Sequence, residues 1–175
     1  MLVRVLGAAA GGGFPQWNCA CPGCRLAREQ PALAHPRHQT CVAVSEDGKA
    51  WFLLNAPPDL RQQIMAAPEL APRGAARHSP IAGVLLTGGD VDQIGGLLVL
   101  REGHHFAIYA SAGVLDLLAT NPIFGVLDPE LVRRIPLDGP EMPLRTGEGT
   151  PSGLCVRAIT LDGKVPLWME GRAEA

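Results

Sequence analysis

The sequence predicts one α+β domain in which short strands and helices follow one another along the chain. A length of 175 residues fits a single domain, and 47% apolar residues are enough for a sizeable core. The net charge is −2 and the basic residues are scattered, so nucleic acid is not an expected partner. No run reaches the roughly 20 apolar residues that span a bilayer. We therefore expect a cytoplasmic protein with reduced cysteines and no transmembrane segment.

The expected elements follow from hydrophobic period and from turn residues. Strands are expected at residues 2–6, 40–45 and 51–55, a helix from Pro57 through Met65, a strand at 81–86, a helix at 90–100, a strand at 106–110, a helix at 114–118 and a strand at 154–160. Asp47-Gly48 is a hairpin signal between the second and third strands. Proline is tolerated in a first helical turn, and Ser111 is suited to open the later helix. The stretch 136–153, rich in Pro, Gly and Thr, is expected to form a long surface excursion.

Three of the five cysteines lie within six residues, directly after a glycine-rich turn. Cys19, Cys21 and Cys24 form a C-x-C-x-x-C pattern, which can bring three sulfurs onto one tetrahedral zinc ion. A closed site needs a fourth ligand, and His35 and His38 are the nearest candidates. The alternative is that these cysteines are small apolar residues beside a turn, since neighbouring cysteines pair poorly as disulfides. The pattern favours a metal loop.

A second candidate site lies where the buried strand at 81–86 meets the next helix. Side chains at the carboxyl end of such a strand point into a crevice, and Asp90 and Asp92 stand there two residues apart. One interpretation is that both aspartates cap the helix. The other makes them oxygen ligands of a metal ion, with Gln93 a weak neutral neighbour.

Weaker signals occur elsewhere. Asn55 and Asp59 flank Pro57-Pro58 at a strand-to-helix turn, where they either cap the helix or contact a substrate. The adjacent histidines His104 and His105 are expected to face solvent, while Cys41 and Cys155 are expected to pack inside apolar strands.

Four segments together carry a family resemblance. GAAAGGGFPQWNCACPGC, LLNAPPDLRQQI, LLTGGDVDQIGGLLVLREG and DGKVPLWME resemble the pyrroloquinoline quinone (PQQ) biosynthesis protein B family, within the metallo-β-lactamase fold superfamily. The resemblance runs from Leu2 to about Glu170. It implies an αββα sandwich, of which this chain is the N-terminal half.

The resemblance also implies a function. It suggests a metal-dependent oxygenase that hydroxylates a tyrosine-derived ring in the peptide precursor of PQQ, or a carrier that moves PQQ or its precursor toward the periplasm. The partner is then that precursor or PQQ. No transmembrane segment is present, so carriage across a bilayer by this chain alone is not expected.

Site residues follow from the same resemblance. Cys19, Cys21 and Cys24 match a structural zinc loop whose remaining ligand is a late histidine of the family. Asp92 and Gln93 match the catalytic Asp-His pair of the family's metal motif, with glutamine in place of histidine. The crevice would hold iron or a second zinc, and glutamine is a poorer ligand for either than imidazole.

Members of the family continue well past residue 175. We expect that the sequence is either a truncated gene product or part of a longer protein. Without a partner, one face of its sheet would be left exposed. That partner would be a second copy of the chain, as a homodimer, or the missing second half. Besides the oxygenase and the carrier, a third functional hypothesis is an inert fragment that retains its zinc loop.

Overall fold

A six-stranded mixed sheet forms the centre of the molecule, in a computed structural model that describes residues 1–74, 76–161 and 165–170. Its strands, which lie side by side in chain order, are β1 (Leu2–Gly7), β2 (Cys41–Ser45), β3 (Trp51–Leu54), β4 (Ile81–Leu85), β5 (Phe106–Ala110) and β6 (Val132–Pro136). The first three strands pair antiparallel, and β3 to β6 are parallel. The predicted hairpin between β2 and β3 is confirmed, with Gly48 in the left-handed region at φ 75°.

Helical segments connect the parallel strands, as parallel pairing requires. The α-helices are α1 (Pro22–Glu29), α2 (Leu60–Ala66), α3 (Val91–Ile94) and α4 (Ala112–Thr120), and 3₁₀ turns occupy Pro68–Leu70, Gly95–Leu100, Pro122–Val126 and Leu167–Met169. Ser111 caps α4 as predicted, because its Oγ accepts a hydrogen bond from the Val114 N–H. The helix predicted at 57–65 instead begins at Leu60, and the helix predicted at 90–100 becomes 3₁₀ after Ile94.

Apolar side chains form a core on each face of the sheet. In β5 they alternate between the two faces, because successive strand residues point in opposite directions. Phe106 and Ile108 belong to the larger core on the helix side, while Ala107 and Tyr109 belong to the smaller core on the other side. The sheet is therefore buried on both faces at its centre.

The predicted surface excursion at 136–153 is wrong. This stretch contains β7 (Met142–Arg145), which pairs antiparallel with β8 (Pro151–Val156). Leu144 and Leu154 of this hairpin are buried in the smaller core. The segment is ordered by packing on the sheet, a long-range effect that its Pro- and Gly-rich composition does not reveal.

Other differences have similar causes. Cys41 is buried as expected, but Cys155 is exposed, because residues on β8 alternate between the core and solvent. Helix α1 and strand β6 are absent from the sequence prediction.

At the β1 edge, Val3 and Val5 are 58% and 60% exposed, so the β7–β8 hairpin leaves this part of the second face of the sheet uncovered. Within the described residues, none of the helices has both the length and the apolar character that crossing a membrane demands.

Candidate functional site

The three clustered cysteines converge at the start of α1. Cys21 is the residue before the helix, Pro22 begins it, and Cys24 lies in its first turn. The loop before the helix brings Cys19 to the same place, so that the three Sγ atoms lie within 4.8 Å of one another. In a tetrahedral zinc site with Zn–S bonds of about 2.3 Å, sulfurs are about 3.8 Å apart. The donor set and its spacing therefore fit a zinc ion.

The thiols of this cluster have unequal acidity. Hydrogen bonding from the Cys24 backbone, with smaller contributions from the Cys19 and Cys24 side chains, lowers the pKa of Cys21 to about 7. For Cys24, a hydrogen bond with the Gln16 backbone lowers the pKa, but desolvation and the neighbouring thiols together leave it raised. The lowered pKa favours the thiolate form of Cys21, and thiolate is the form that binds metal.

Arg28 of α1 holds the cysteine loop against the helix. Its guanidinium donates to the Cys19 carbonyl at 2.6 Å, to the Gln16 carbonyl, and more weakly to the Trp17 carbonyl at 3.5 Å. The planar fork of arginine suits such multiple acceptors. This residue was missed by the sequence analysis, although its position seven residues after Cys21, on the helix that follows the loop, is the available signal.

Neither His35 nor His38 joins the cysteines. Among the described residues, the cysteine trio is the single group of three or more Cys, His, Asp or Glu side chains close enough to share an ion. His38 lies elsewhere, with its Nδ1 2.8 Å from Oδ2 of Asp59. The described part of the chain thus provides three sulfur ligands and leaves a fourth position open.

A crevice of about 460 Å³ lies beyond the carboxyl end of β4, where the sequence predicts it. Its lining is formed by Gly11, Gln39, Pro58, Asp90, Val91, Asp92, Leu167 and Trp168. At Gly11, a Cβ atom would lie 3.1 Å from Oδ2 of Asp92, so the glycine-rich loop passes directly against that carboxylate. Trp168 donates from its indole to the Gly89 carbonyl at 3.0 Å. Five separate stretches of the chain therefore meet at this crevice.

The two predicted aspartates have different surroundings. Asp90 accepts a hydrogen bond from the Leu167 N–H at 3.2 Å, and its own N–H donates to Oε1 of Gln93 at 3.2 Å. Gln93 also donates to the Thr87 hydroxyl at 3.4 Å, so its amide closes the turn before α3. Asp92 is half-buried and lines the crevice, and none of the described residues donates a hydrogen bond to its carboxylate. Asp92 is the carboxylate that remains available to a ligand.

Asn55 holds the turn that follows β4. Its backbone is in the left-handed region, at φ 67°, which asparagine tolerates better than most residues. Its Oδ1 accepts hydrogen bonds from the Thr87 N–H at 2.9 Å and the Thr87 hydroxyl at 3.0 Å. The predicted substrate contact remains a prediction, and the observed role is to join β3 to the turn after β4.

Asp59 organises a polar network behind the crevice. Its Oδ2 lies beside His38 and accepts the Gln39 N–H at 3.0 Å, while its Oδ1 accepts from Gln63 at 2.8 Å. Gln39 in turn donates to the Gly11 carbonyl and so fixes the glycine-rich loop. Sequence reasoning singled out Asp59 but missed both glutamines, because no short motif links residues 24 positions apart.

Comparison with known proteins identifies the superfamily to which the chain belongs. Residues 50–174 match the family model described as "Beta-lactamase superfamily domain". The chain therefore belongs to the β-lactamase superfamily, and the predicted metallo-β-lactamase fold is confirmed.

Within that superfamily, the chain is similar to proteins named Coenzyme PQQ synthesis protein B. It is 56% identical to the one from Rhodopseudomonas palustris (strain TIE-1) over 97% of this chain, and 54% identical to the one from Gluconobacter oxydans (strain 621H) over 96%. It covers 55% of either protein, so the chain spans about half the length of the curated relatives it matches. The family resemblance carried by the four sequence segments is confirmed.

Solved structures agree with this assignment. The crystal structure of Zn²⁺-bound PqqB from Methylobacterium extorquens has 51% identity and a TM-score of 0.76, over 79% of this chain and 50% of that one. A diphosphatase from the PhnP family has 23% identity and a TM-score of 0.62, over 81% of this chain and 52% of that one, which indicates a shared fold alone.

Proposed function

We propose that this chain acts in PQQ biosynthesis as part of a metal-dependent oxygenase that hydroxylates a tyrosine-derived ring in the peptide precursor. The observation that carries the proposal is the half-buried Asp92 carboxylate, which lines a crevice at the end of a buried strand. Similarity to Coenzyme PQQ synthesis protein B over nearly the whole chain supports the pathway. A cytoplasmic location, where thiols stay reduced, is part of the proposal.

In this proposal, Asp92 is the ligand that this chain provides for iron or a second zinc, with Asp90 a weaker candidate. When bound, iron would supply oxygen activation. Hydroxylation inserts one atom of dioxygen into the ring, and the other leaves as water after taking two electrons from an external reductant and two protons. Gly11 leaves room beside the carboxylate, and Gln39 fixes the loop that contains it. Gln93 acts as a positioning residue, because its amide closes the turn that presents Asp92.

Replacing Asp92 by asparagine tests the oxygenase proposal. Asparagine keeps the shape of the side chain but removes the negative charge that binds the metal. We expect oxygen-dependent hydroxylation of a tyrosine-containing peptide by wild type, with at least tenfold lower activity in Asp92→Asn. Asp138→Asn, a matched change on an exposed loop, should retain full activity. Equal rates in wild type and Asp92→Asn would refute the proposal.

The proposed zinc ion at Cys19, Cys21 and Cys24 has a structural role and can be tested separately. One relative of known structure is described as Zn²⁺-bound. We expect about one zinc per purified chain, and most of it lost in Cys21→Ser, because a hydroxyl cannot replace a thiolate ligand. Cys155→Ser changes an exposed cysteine outside the cluster and should leave the metal content unchanged. Metal analysis that finds no zinc in the wild-type chain would contradict this role.

A carrier function is the second candidate, because Gln93 caps the turn and, among the described residues, Asp90 and Asp92 have no third metal-ligating partner nearby. This hypothesis predicts saturable binding of PQQ or its precursor without turnover. Tryptophan fluorescence measures it directly, since Trp168 lines the crevice. No saturable quenching by PQQ would exclude the carrier hypothesis.

A further inference from the structure

A second cavity lies at the opposite end of the sheet from the crevice. Its volume is about 380 Å³, and it is lined by the first residue of β4, Ile81, and by His104 just before β5. Strand β4 separates it from the crevice by five residues, or about 16 Å. This volume is within the range of small-molecule sites. The cavity is distinct from the crevice, with which it shares no lining residue.

The walls of this cavity are mainly apolar. They are formed by α2, by the 3₁₀ turns Pro68–Leu70 and Gly95–Leu100 and by the start of β4. The apolar side chains are those of Ile64, Met65, Leu70, Ile81, Val99 and Leu100. Met65 is 75% exposed at the mouth, and its flexible thioether can adapt to a ligand. An exposed methionine over an apolar hollow favours an apolar ligand body.

The rim of the cavity is positively charged. Arg61 and Arg77 line it and are exposed, and neither forms an ion pair with another described residue. The one acidic residue of the lining, Glu102, lies 3.8 Å from Arg101. Two available guanidinium groups beside an apolar hollow match a ligand with a single carboxylate, which arginine binds in bidentate fashion.

Two histidines complete the lining. His78 accepts the Arg73 N–H on its Nδ1 at 3.2 Å, so its proton is on Nε2, where it can be donated to a ligand. His104 stacks on Phe106 with ring centroids 5.1 Å apart, and its buried Nε2 has no hydrogen-bond partner among the described residues. Burial, together with the charge of neighbouring His105, lowers the pKa of His104, which favours its neutral form.

We propose that this cavity binds a small apolar carboxylate, whose body lies between Ile64, Met65 and Leu100 and whose carboxylate is held by Arg61 and Arg77. The site is a ligand-binding site separate from the metal crevice. It depends on neither Asp92 nor the cysteine cluster, so its test can fail or succeed independently of the proposed oxygenase.

The first experiment compares two matched probes by NMR on the isotopically labelled chain. The probes are 3-phenylpropionate and its neutral amide, which share the same apolar body. We expect saturable shifts of amide signals at Ile81, Leu100 and His104 with the carboxylate, and about tenfold weaker binding of the amide. Absence of saturable shifts, or equal affinity for both probes, would overturn the proposal.

Three variants locate the binding. The double change Arg61→Gln and Arg77→Gln should reduce affinity for the carboxylate about tenfold and remove its advantage over the amide. Met65→Glu places a negative charge at an exposed wall position, so that folding is preserved while carboxylate binding is lost. Ile123→Glu adds the same charge at a residue 57% exposed and outside the cavity, and should bind as wild type does. If Met65→Glu retains wild-type affinity, or Ile123→Glu loses it, the site is not this cavity.

Discussion

At the scale of single residues, Arg28 positions the loop that would hold the proposed zinc ion. Its guanidinium donates hydrogen bonds to the carbonyl groups of Cys19 and Gln16, in the loop that carries the first clustered cysteine. Residues that orient metal ligands commonly affect metal affinity by 10- to 100-fold. Arg28 therefore acts together with the cysteines as a positioning residue of this loop.

We expect Arg28→Met to weaken zinc binding by roughly tenfold, because the loop carbonyls lose their donors and the loop becomes more mobile. Competition with a chromophoric chelator measures the affinity. Arg25→Met removes an exposed arginine from the same helix and serves as the control. Equal zinc affinity in Arg28→Met and Arg25→Met would show that the hydrogen bonds from Arg28 to the loop have no role in metal binding.

At the scale of elements, the 3₁₀ turn after α3 packs against the start of α2 without space for a side chain. The Gly96 N–H donates to the Ala56 carbonyl at 2.7 Å, and a Cβ on Gly96 would lie 2.2 Å from the Pro57 carbonyl oxygen. This close approach of two backbones is the physical reason for glycine at this position. It also holds helix α3, which contains Asp92, against the segment that follows β3 and contains Asn55.

Gly96→Ala should lower the free energy of unfolding by about 2–3 kcal/mol, since backbone must move to admit the methyl group. Gly125→Ala is the matched control in another 3₁₀ turn, where a Cβ would meet no atom within 4 Å. Urea unfolding followed by tryptophan fluorescence gives both values. Similar stability of the two variants would mean that the contact at Gly96 is relaxed in solution.

At the scale of the whole molecule, one tyrosine connects the hairpin β7–β8 to the central sheet. The Tyr109 hydroxyl donates to the Arg145 carbonyl at 2.7 Å and accepts the Arg145 N–H at 2.8 Å. Because its ring is buried in the smaller core, the same side chain supplies apolar packing and both hydrogen bonds. The second face of the sheet depends on this attachment.

Tyr109→Phe should cost about 1–3 kcal/mol, because the ring remains but two backbone groups of the hairpin lose their partner. Amide hydrogen exchange should accelerate at residues 142–145 and 151–156. Amides of the β2–β3 pair provide an internal control and should exchange as in wild type. Unchanged protection of the hairpin would contradict the role assigned to Tyr109.

Local patterns were sufficient for the features that depend on neighbouring residues. Strands with strong apolar period were predicted because that period can be read within a short stretch. The Asp47-Gly48 turn, the Ser111 cap and the cysteine cluster were predicted because each depends mainly on contacts between near neighbours in sequence. The family resemblance and the position of the crevice at the end of β4 were also contained in the sequence.

Tertiary packing decided the rest. The hairpin at 142–156 is ordered by the face of the sheet, and the contact of Gly11 with Asp92 joins residues 81 positions apart. It also assigned different roles to similar side chains: Gln93 closes a turn, Asp59 is enclosed by its donors, and Asp92 is left open to a ligand. Which polar group is satisfied by the protein and which remains available depends on partners distant in sequence, and only the folded chain brings those partners together.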